Sequence, residues 1–162
     1  MVRIQHAESE DQLRHVRALI AEYVAEQGAI LGIDFGSKLH SIRDLEDPAA
    51  VYTPPGGCIL LATEGIQSVG CVALQRVDRA VGEMKRLYVR PRFRRNGIGR
   101  MLALAIIEQA RVLGYQKMQL DTVAAMSEAP SLYRSLGFQS IEPYSTIPGW
   151  LKGGLLFFEL PL

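Results

Sequence analysis

The chain has 162 residues, of which 48% are apolar and 22% charged, a composition typical of one globular domain with a substantial core. Its formal net charge of +1 argues against nucleic acid as a partner, because nucleic-acid-binding proteins usually present a broadly basic face. The first residues lack the apolar run of a signal peptide and no stretch reaches the length of a membrane span, so we expect a cytoplasmic protein without membrane contact.

The first part of the chain predicts a strand followed by a helix. Val2 to Ile4 is a short strand, and Glu8 to Gln27 carries an apolar stripe at helical spacing. Ser9 and Gln12 have the spacing of a capping box at the start of this helix. Gly28 is expected to end it.

The middle of the chain predicts a meander of strands and then a long helix. A second, less regular helical segment covers Lys38 to Leu45. The three strands that follow are Cys58 to Thr63, Gln67 to Arg76 and Glu83 to Val89. The short turns between them imply antiparallel pairing. Ile98 to Leu113 is apolar nearly all round, which predicts a largely buried helix, and Gly114 directly follows its end.

The last part predicts further strands and one helix: strand Lys117 to Thr122, helix Ser127 to Leu136, strand Phe138 to Ile141 and strand Leu155 to Leu160. The element order is typical of an α+β fold, one domain over residues 1–162, with a mixed, mostly antiparallel sheet of six to seven strands and about four helices. Its one parallel pairing should join the strands on either side of the long helix. The last strand is expected at an edge, where it would offer a pairing surface for a homodimer.

The cysteines and histidines do not predict a reactive or metal site. Cys58 and Cys71 lie in apolar, strand-like runs, which favours buried, reduced thiols over a redox pair. His6, His15 and His40 are scattered without the spacing of metal ligands. We therefore expect no bound metal.

A turn rich in arginine and glycine precedes the long helix. From Lys85 to Arg100 the chain has seven Lys or Arg residues and no Asp or Glu, and the N–H groups and dipole of the helix N-terminus add positive charge. The turn therefore predicts a diphosphate site. A dinucleotide fingerprint is excluded because Leu102 stands where its third glycine belongs, and the Gly-Lys-Ser/Thr of a P-loop is missing. The remaining pattern is R-x-x-G-x-G, over Arg94 to Gly99.

Four segments in a fixed order carry a resemblance to a known family: Glu83 to Val89, the R-x-x-G-x-G turn, Leu120 to Thr122 and Leu132 to Phe138. From Gly70 to Tyr144 the sequence resembles the GNAT superfamily of acyl-CoA-dependent N-acyltransferases. The resemblance implies a GNAT-like sheet whose central parallel strands splay apart and leave a V-shaped slot. It also implies acetyl-CoA as the co-substrate.

The family's coenzyme A site is carried over residue by residue. The backbone of the turn corresponds to the segment that wraps the CoA diphosphate, and the preceding strand to the edge that pairs with the pantetheine arm. The residues implied are Leu87, Tyr88, Val89, Arg94, Arg95, Asn96, Gly97, Ile98, Gly99 and Arg100. An N–H near Leu87 would stabilise charge on the thioester oxygen. Leu87 and Val89 are equally explained as strand core, and Arg90, Arg92 and Arg95 all stay open as partners of the CoA 3′-phosphate.

Two side chains match catalytic positions of the family. Tyr133 corresponds to the tyrosine that protonates the leaving CoA thiolate, a task that suits a phenol. Glu83 corresponds to a carboxylate that takes a proton from the amine, often through water. Each side chain also has a non-catalytic explanation: Tyr133 could simply pack on the core, and Glu83 could be a solvated glutamate at the end of a strand. Many members place an asparagine seven residues before the tyrosine, where this chain has Met126, so no cofactor contact is assigned there.

The expected activity is direct transfer of the acetyl group of acetyl-CoA to a primary amine of a small molecule. The acceptor should be bounded by Gln27 to Leu45 and by the loop Pro143 to Gly153, whose Tyr144 and Trp150 either line the pocket or anchor the loop. The alternative function is a non-catalytic sensor that binds acyl-CoA. Such a sensor would need the turn from Arg94 to Gly99 but neither Tyr133 nor Glu83.

Overall fold

The computed structural model describes residues 1–34, 42–125, 128–151 and 154–162. Within these ranges the strands are β1 (Val2–His6), β2 (Cys58–Glu64), β3 (Gln67–Arg76), β4 (Val81–Val89), β5 (Lys117–Val123), β6 (Gln139–Ile141) and β7 (Leu155–Pro161). The α-helices are α1 (Glu10–Leu31), α2 (Arg43–Glu46), α3 (Pro48–Val51), α4 (Ile98–Val112) and α5 (Glu128–Ser135). Single 3₁₀ turns cover Pro91–Phe93 and Gly149–Leu151.

The strands form one sheet in the order β1-β2-β3-β4-β5-β7-β6. β4 and β5 are parallel and the other pairs are antiparallel, which confirms the mixed, mostly antiparallel sheet. The expectation that the last strand is an edge is wrong, because β7 lies between β5 and β6. β7 pairs with β5 along its whole length and buries Phe157 and Phe158, so this apolar strand belongs to the interior of the sheet.

Helix α1 begins as predicted and ends one turn later. The Ser9 side chain accepts a hydrogen bond from the Gln12 backbone N–H at 3.2 Å, and the Gln12 side chain accepts one from the Ser9 N–H at 3.0 Å. Gly28 does not end the helix: it is buried within it, and Gly32 forms the left-handed C-cap with φ 65°. The first half of the predicted segment Lys38 to Leu45 lies outside the described residues, and its second half leads into α2.

The helices cover both faces of the sheet. Leu19 and Ile20 of α1 lie in a cluster of buried side chains on one face, and Leu102 of α4 lies in the larger cluster on the other. The prediction that α4 is largely buried is wrong, since Met101 and Leu104 are exposed. α4 has a neighbouring sheet on one side only, so its apolar residues are divided between the core and the surface.

Gly114 confirms the predicted end of α4. Its φ is 84°, its N–H donates to the Arg111 carbonyl, and the Tyr115 N–H donates to the Ala110 carbonyl. This is the Schellman arrangement, in which glycine adopts a left-handed conformation without a side-chain penalty. It turns the chain from α4 into β5.

The parallel strands β4 and β5 separate after a short paired stretch. Their pairing stops at Glu83 opposite Gln119, although both strands continue. β4 also contains a β-bulge: its register against β3 shifts between Cys71 and Ala73, and Arg86 has a left-handed φ of 58°. A bulge bends and twists its strand. The two strand ends therefore diverge, which is the predicted splay.

Candidate active site

Two cavities meet where β4 and β5 diverge. The first, the turn cavity, has a volume of about 480 Å³ and is lined by the end of β4, the Arg/Gly turn and the start of α4. The second, the bulge cavity, has a volume of about 340 Å³ and is lined by the β4 bulge, Asp121 and Tyr133. Leu87 and Ala129 border both cavities. A molecule in one can therefore reach a molecule in the other beside Leu87.

The turn cavity ends at the N-terminus of α4. Gly97 is the N-cap with φ 77°, and Arg95 before it has φ 64°. No described side chain caps this end, so the first N–H groups of α4 can bind an anion. A Cβ on Gly97 would meet no atom within 4 Å, so the backbone conformation and not crowding requires glycine here. These features fit a diphosphate held by backbone N–H groups.

Two arginines near the turn are fixed by carboxylates of α1. Arg94 donates to both carboxylate oxygens of Glu26, at 2.8 and 2.6 Å, and to the Val89 carbonyl at 2.7 Å. Arg90 donates to Glu22 in the same forked manner, with contacts of 2.8 to 3.2 Å. Such bidentate pairs are among the stronger hydrogen bonds of proteins. These guanidinium groups therefore position the turn against α1.

The remaining side chains of the turn are more exposed. The Arg95 side chain is 88% exposed and borders the turn cavity. Arg100 borders it too and donates to the Ser135 hydroxyl at 3.0 Å. Asn96 donates to the Phe93 carbonyl at 3.4 Å. Of the arginines that the sequence left open for a phosphate, Arg95 is the one placed at this cavity.

The predicted residues of β4 also border the turn cavity: Leu87, Tyr88 and Val89. The side chains of Tyr88 and Val89 are buried in the core and that of Leu87 is partly buried. The strand-core interpretation therefore holds, and a ligand could use the backbone at the same time. Burial, reinforced by Glu22 and Glu26, raises the pKa of Tyr88 to about 12, so its hydroxyl stays protonated.

Tyr133 lies between the core and the bulge cavity. Its ring packs against Phe138 and Phe158, with centroid distances of 5.8 and 6.0 Å. Among the described residues, none forms a hydrogen bond with the Tyr133 hydroxyl, and every fully buried side-chain polar atom has a hydrogen-bond partner. The Tyr133 hydroxyl is therefore not fully buried, and we infer that it is open to the cavity that Tyr133 lines. Burial, followed by the charges of Tyr23 and Asp121, raises the pKa of Tyr133, which keeps the phenol protonated.

Asp121 lines the bulge cavity, although no sequence motif predicted a functional role for it. Asp121 lies on β5 two residues beyond Gln119, which is the last β5 residue paired with β4. Because side chains two residues apart in a strand point to the same face, Asp121 and Gln119 share one face of the sheet. Burial raises the pKa of its carboxyl, while Lys85 lowers it and Glu83 raises it. The described chain gives this carboxylate no hydrogen-bond donor. A charged residue inside an apolar strand segment was the available signal.

Glu83 lies beside the bulge cavity and does not line it. It accepts a hydrogen bond from the Tyr144 hydroxyl at 2.7 Å, and its Oε1 lies 3.6 Å from the Lys85 ammonium. Tyr144 in turn packs edge-on against Phe157 with centroids 5.0 Å apart, and it borders neither cavity. Tyr144 therefore anchors its loop. Glu83 is connected to the cavity through its contact with Lys85, which lines it.

The comparisons with known proteins identify the family. The acetyltransferase (GNAT) domain matches residues 55–140, which include β2 to β5, the turn and Tyr133. An uncharacterised N-acetyltransferase of Schizosaccharomyces pombe is 38% identical over 131 residues, which cover 79% of this chain and 77% of that protein. The chain belongs to the GNAT acetyltransferase family.

Two further proteins extend the likeness. The N-acetylaspartate synthetase of Danio rerio is 38% identical over 124 residues that cover 72% of this chain and 44% of that longer protein. The structure of PaiA N-acetyltransferase from Thermoplasma acidophilum, in complex with coenzyme A, superimposes with a TM-score of 0.77 at 18% identity. That superposition covers 100% of this chain and 99% of the other, and it confirms the fold.

In this GNAT chain a buried ion pair supports the β4 bulge. Arg86 donates to both carboxylate oxygens of Asp44, at 2.7 and 3.1 Å, and the Tyr52 hydroxyl donates to Asp44 at 2.6 Å. Arg86 also lies over the Tyr23 ring, 5.4 Å from its centroid. Burial alone would raise the pKa of Asp44, but the hydrogen bonds and charge of Arg86 outweigh it and hold the pKa below its usual range. The network fixes and neutralises Arg86 in the cavity wall.

The cysteines of this acetyltransferase are buried and reduced, as predicted. Burial raises the pKa of Cys58 to about 11 and that of Cys71 to about 12, so neither is a nucleophile near neutral pH. Within the described ranges there is no cluster of three or more metal-ligating side chains, and no helix long and apolar enough to cross a membrane. His40 and Met126 lie outside those ranges.

Proposed function

We propose that this GNAT protein transfers the acetyl group of acetyl-CoA directly to a primary amine of a small molecule. The observation that carries the proposal is the junction of the two cavities at Leu87, one ending at an uncapped helix N-terminus and the other lined by Tyr133. The first suits the diphosphate of an acyl-CoA. The second, at about 340 Å³, suits an acceptor of modest size.

The turn cavity would bind the coenzyme mainly through backbone groups. The N–H groups from Arg94 to Arg100 would hold the diphosphate, and the exposed Arg95 would meet further phosphate charge. The backbone from Leu87 to Val89 would pair with the pantetheine arm, because β4 has no β5 partner at this level. An N–H at the bulge would donate to the thioester oxygen as that oxygen becomes negative.

The reaction needs two proton routes. An ammonium group cannot attack, so one proton first passes through water to Glu83. The neutral amine then forms a C–N bond to the thioester carbon, and the C–S bond breaks as Tyr133 gives its proton to sulfur. The second proton of the amine returns Tyr133 to its phenol form. The products are the acetylated amine and the CoA thiol, and Glu83 releases its proton to solvent.

Two of the relatives support the acceptor and co-substrate in this proposal. The Danio rerio relative is named for making N-acetylaspartate, a small molecule, and the Thermoplasma acidophilum structure contains coenzyme A. We also expect a cytoplasmic location, since buried reduced thiols suit a reducing compartment. A homodimer stays a prediction, and β1 or β6 would now provide the pairing edge.

Calorimetry and a thiol-release assay test the proposal together. Acetyl-CoA is titrated into the protein, and CoA thiol release is then followed over a panel of amines. Tyr133→Phe keeps the ring contacts and removes the hydroxyl alone, so we expect unchanged acetyl-CoA binding and a turnover about 10²- to 10⁴-fold lower. If the wild type and Tyr133→Phe both bind acetyl-CoA and neither releases thiol with any amine, the result would favour a non-catalytic sensor. A lack of binding would exclude both functions.

A further inference from the structure

Two side chains of opposite charge line the bulge cavity without pairing with each other. Asp121 lies on β5 and Lys85 on β4, at the level where these strands have separated. They are close enough for Lys85 to lower the pKa of Asp121, yet no ion pair joins them in the described ranges. The space between the strands therefore has an anionic group on β5 and a cationic group on β4 at its border.

Lys85 is the cation of this cavity that retains donors for a ligand. Arg86 also lines the cavity, but its guanidinium forms a bidentate pair with the buried Asp44. Among the described residues Lys85 has only the looser contact with Glu83 at 3.6 Å, and its side chain is 30% exposed. A lysine ammonium has three donors. At least two of them can therefore bind an anion in the cavity.

Asp121 is the carboxylate of this cavity that needs a donor. It is partly buried, and the described residues supply no hydrogen bond to it. A desolvated carboxylate without a partner is unfavourable. A ligand ammonium would supply both the charge and the donors that the protein does not. Asp121 also lines the same cavity as Tyr133, so an amine held there lies near the proposed acid.

We propose that the acceptor is a small amino carboxylate, whose ammonium binds Asp121 and whose carboxylate binds Lys85. The proposal rests on the acetyl transfer proposed above and names the substrate class of that site. A bridging ligand would satisfy both charged groups with charge-assisted hydrogen bonds, which are stronger than neutral ones. The cavity volume of about 340 Å³ is sufficient for an acceptor of amino-acid size.

Matched amine pairs test this substrate class. Each pair is an amino acid and its carboxamide, which have the same shape and the same amine but differ in the charge of the second group. Amines with one, two and three carbons between nitrogen and carboxylate cover the separation of the two sites. We expect kcat/KM by thiol release to be about tenfold or more higher for the acid than for the amide, equivalent to about 1.4 kcal/mol.

Two variants assign that selectivity to the two residues. Lys85→Gln should bring the acid-to-amide ratio close to one by raising the KM of the acid. Asp121→Asn should raise KM for both members of a pair. Lys117→Gln is the control, because Lys117 is paired with Glu159 at 2.8 Å and borders neither cavity, so the ratio should stay at its wild-type value. Acetyl-CoA binding by calorimetry verifies that each variant is folded.

Carboxamides turned over as well as the acids would overturn the proposal, as would a Lys85→Gln protein with wild-type selectivity. Turnover of the carboxamides without turnover of the acids would show that the protein transfers acetyl groups but that its acceptor is not an amino carboxylate. A protein that binds no acetyl-CoA, or turns over no amine at all, would instead overturn acetyl transfer itself and this proposal with it.

Discussion

Asp44→Asn probes the buried network behind the β4 bulge. Asp44 is 4% exposed, and its carboxylate accepts two hydrogen bonds from Arg86 and one from Tyr52. Asparagine keeps the size but removes the charge and replaces one acceptor oxygen by a donor that faces the guanidinium. Breaking one partner of a buried ion pair costs about 3–5 kcal/mol. Because the amide oxygen still accepts one hydrogen bond, we expect a loss of about 3 kcal/mol in the free energy of unfolding.

Urea denaturation followed by far-ultraviolet circular dichroism measures this loss. With a slope of about 2 kcal/mol per molar urea, the midpoint should fall by about 1.5 M. The control is Asp11→Asn, the same change in an exposed pair with Arg14 in the first turn of α1, which should lower the midpoint by no more than about 0.5 M. Equal midpoints for the two variants would refute a stabilising role of the network. The double variant Asp44→Asn with Arg86→Met should lose less stability than the sum of the single losses.

The pH dependence of the same difference has a defined sign. The pKa of Asp44 is lower in the folded than in the unfolded chain, because Arg86 outweighs the effect of burial. Its contribution is therefore fully present above the unfolded pKa, about 4, and is lost as the pH falls through the folded pKa. The stability difference between the wild type and Asp44→Asn should shrink in acid, and a difference independent of pH would contradict this assignment.

Three further predictions concern the turn and the thiols. Gly97→Ala and Gly114→Ala place the same methyl group on left-handed backbone, at φ 77° and 84°, so each should lose about 1–2 kcal/mol in thermal unfolding. Only Gly97→Ala should weaken acetyl-CoA binding in calorimetry, and equal binding by both would argue against a diphosphate at the turn. Arg94→Lys loses the forked contact with Glu26, so the KM for acetyl-CoA should rise several-fold; an unchanged KM would show that this contact does not position the turn. Both cysteines should be unreactive toward a thiol reagent at about pH 8 until urea is added, and rapid labelling of the native protein would contradict their burial.

Local sequence signals predicted most of the secondary structure. The capping box at Ser9 and the glycine at 114 depend on backbone chemistry within a few residues, and both formed as expected. The place of β7 in the sheet depends on pairing with β5, which is remote in sequence, and no local pattern encodes it. The helix end was predicted at Gly28, but Gly28 is buried within the helix and Gly32 adopts the left-handed conformation that ends it.

The candidate site divides in the same way. The turn from Arg94 to Gly99 is a contiguous motif and was predictable, as was Tyr133 through the family resemblance. The carboxylates of α1 that bind Arg90 and Arg94 are 68 residues away in the chain, so their role required the tertiary structure. Asp121 was missed because its access to the bulge cavity depends on the divergence of β4 and β5.

The most direct test of acetyl transfer is a product balance. The protein is incubated with acetyl-CoA and an acceptor amine from the panel, and the released CoA thiol, the acetylated amine and the intact protein are quantified by mass spectrometry. Direct transfer predicts one acetylated amine for each thiol released and a protein mass that stays unchanged throughout the reaction. Thiol release without an acetylated amine, or a protein that carries the acetyl group as an intermediate, would contradict it.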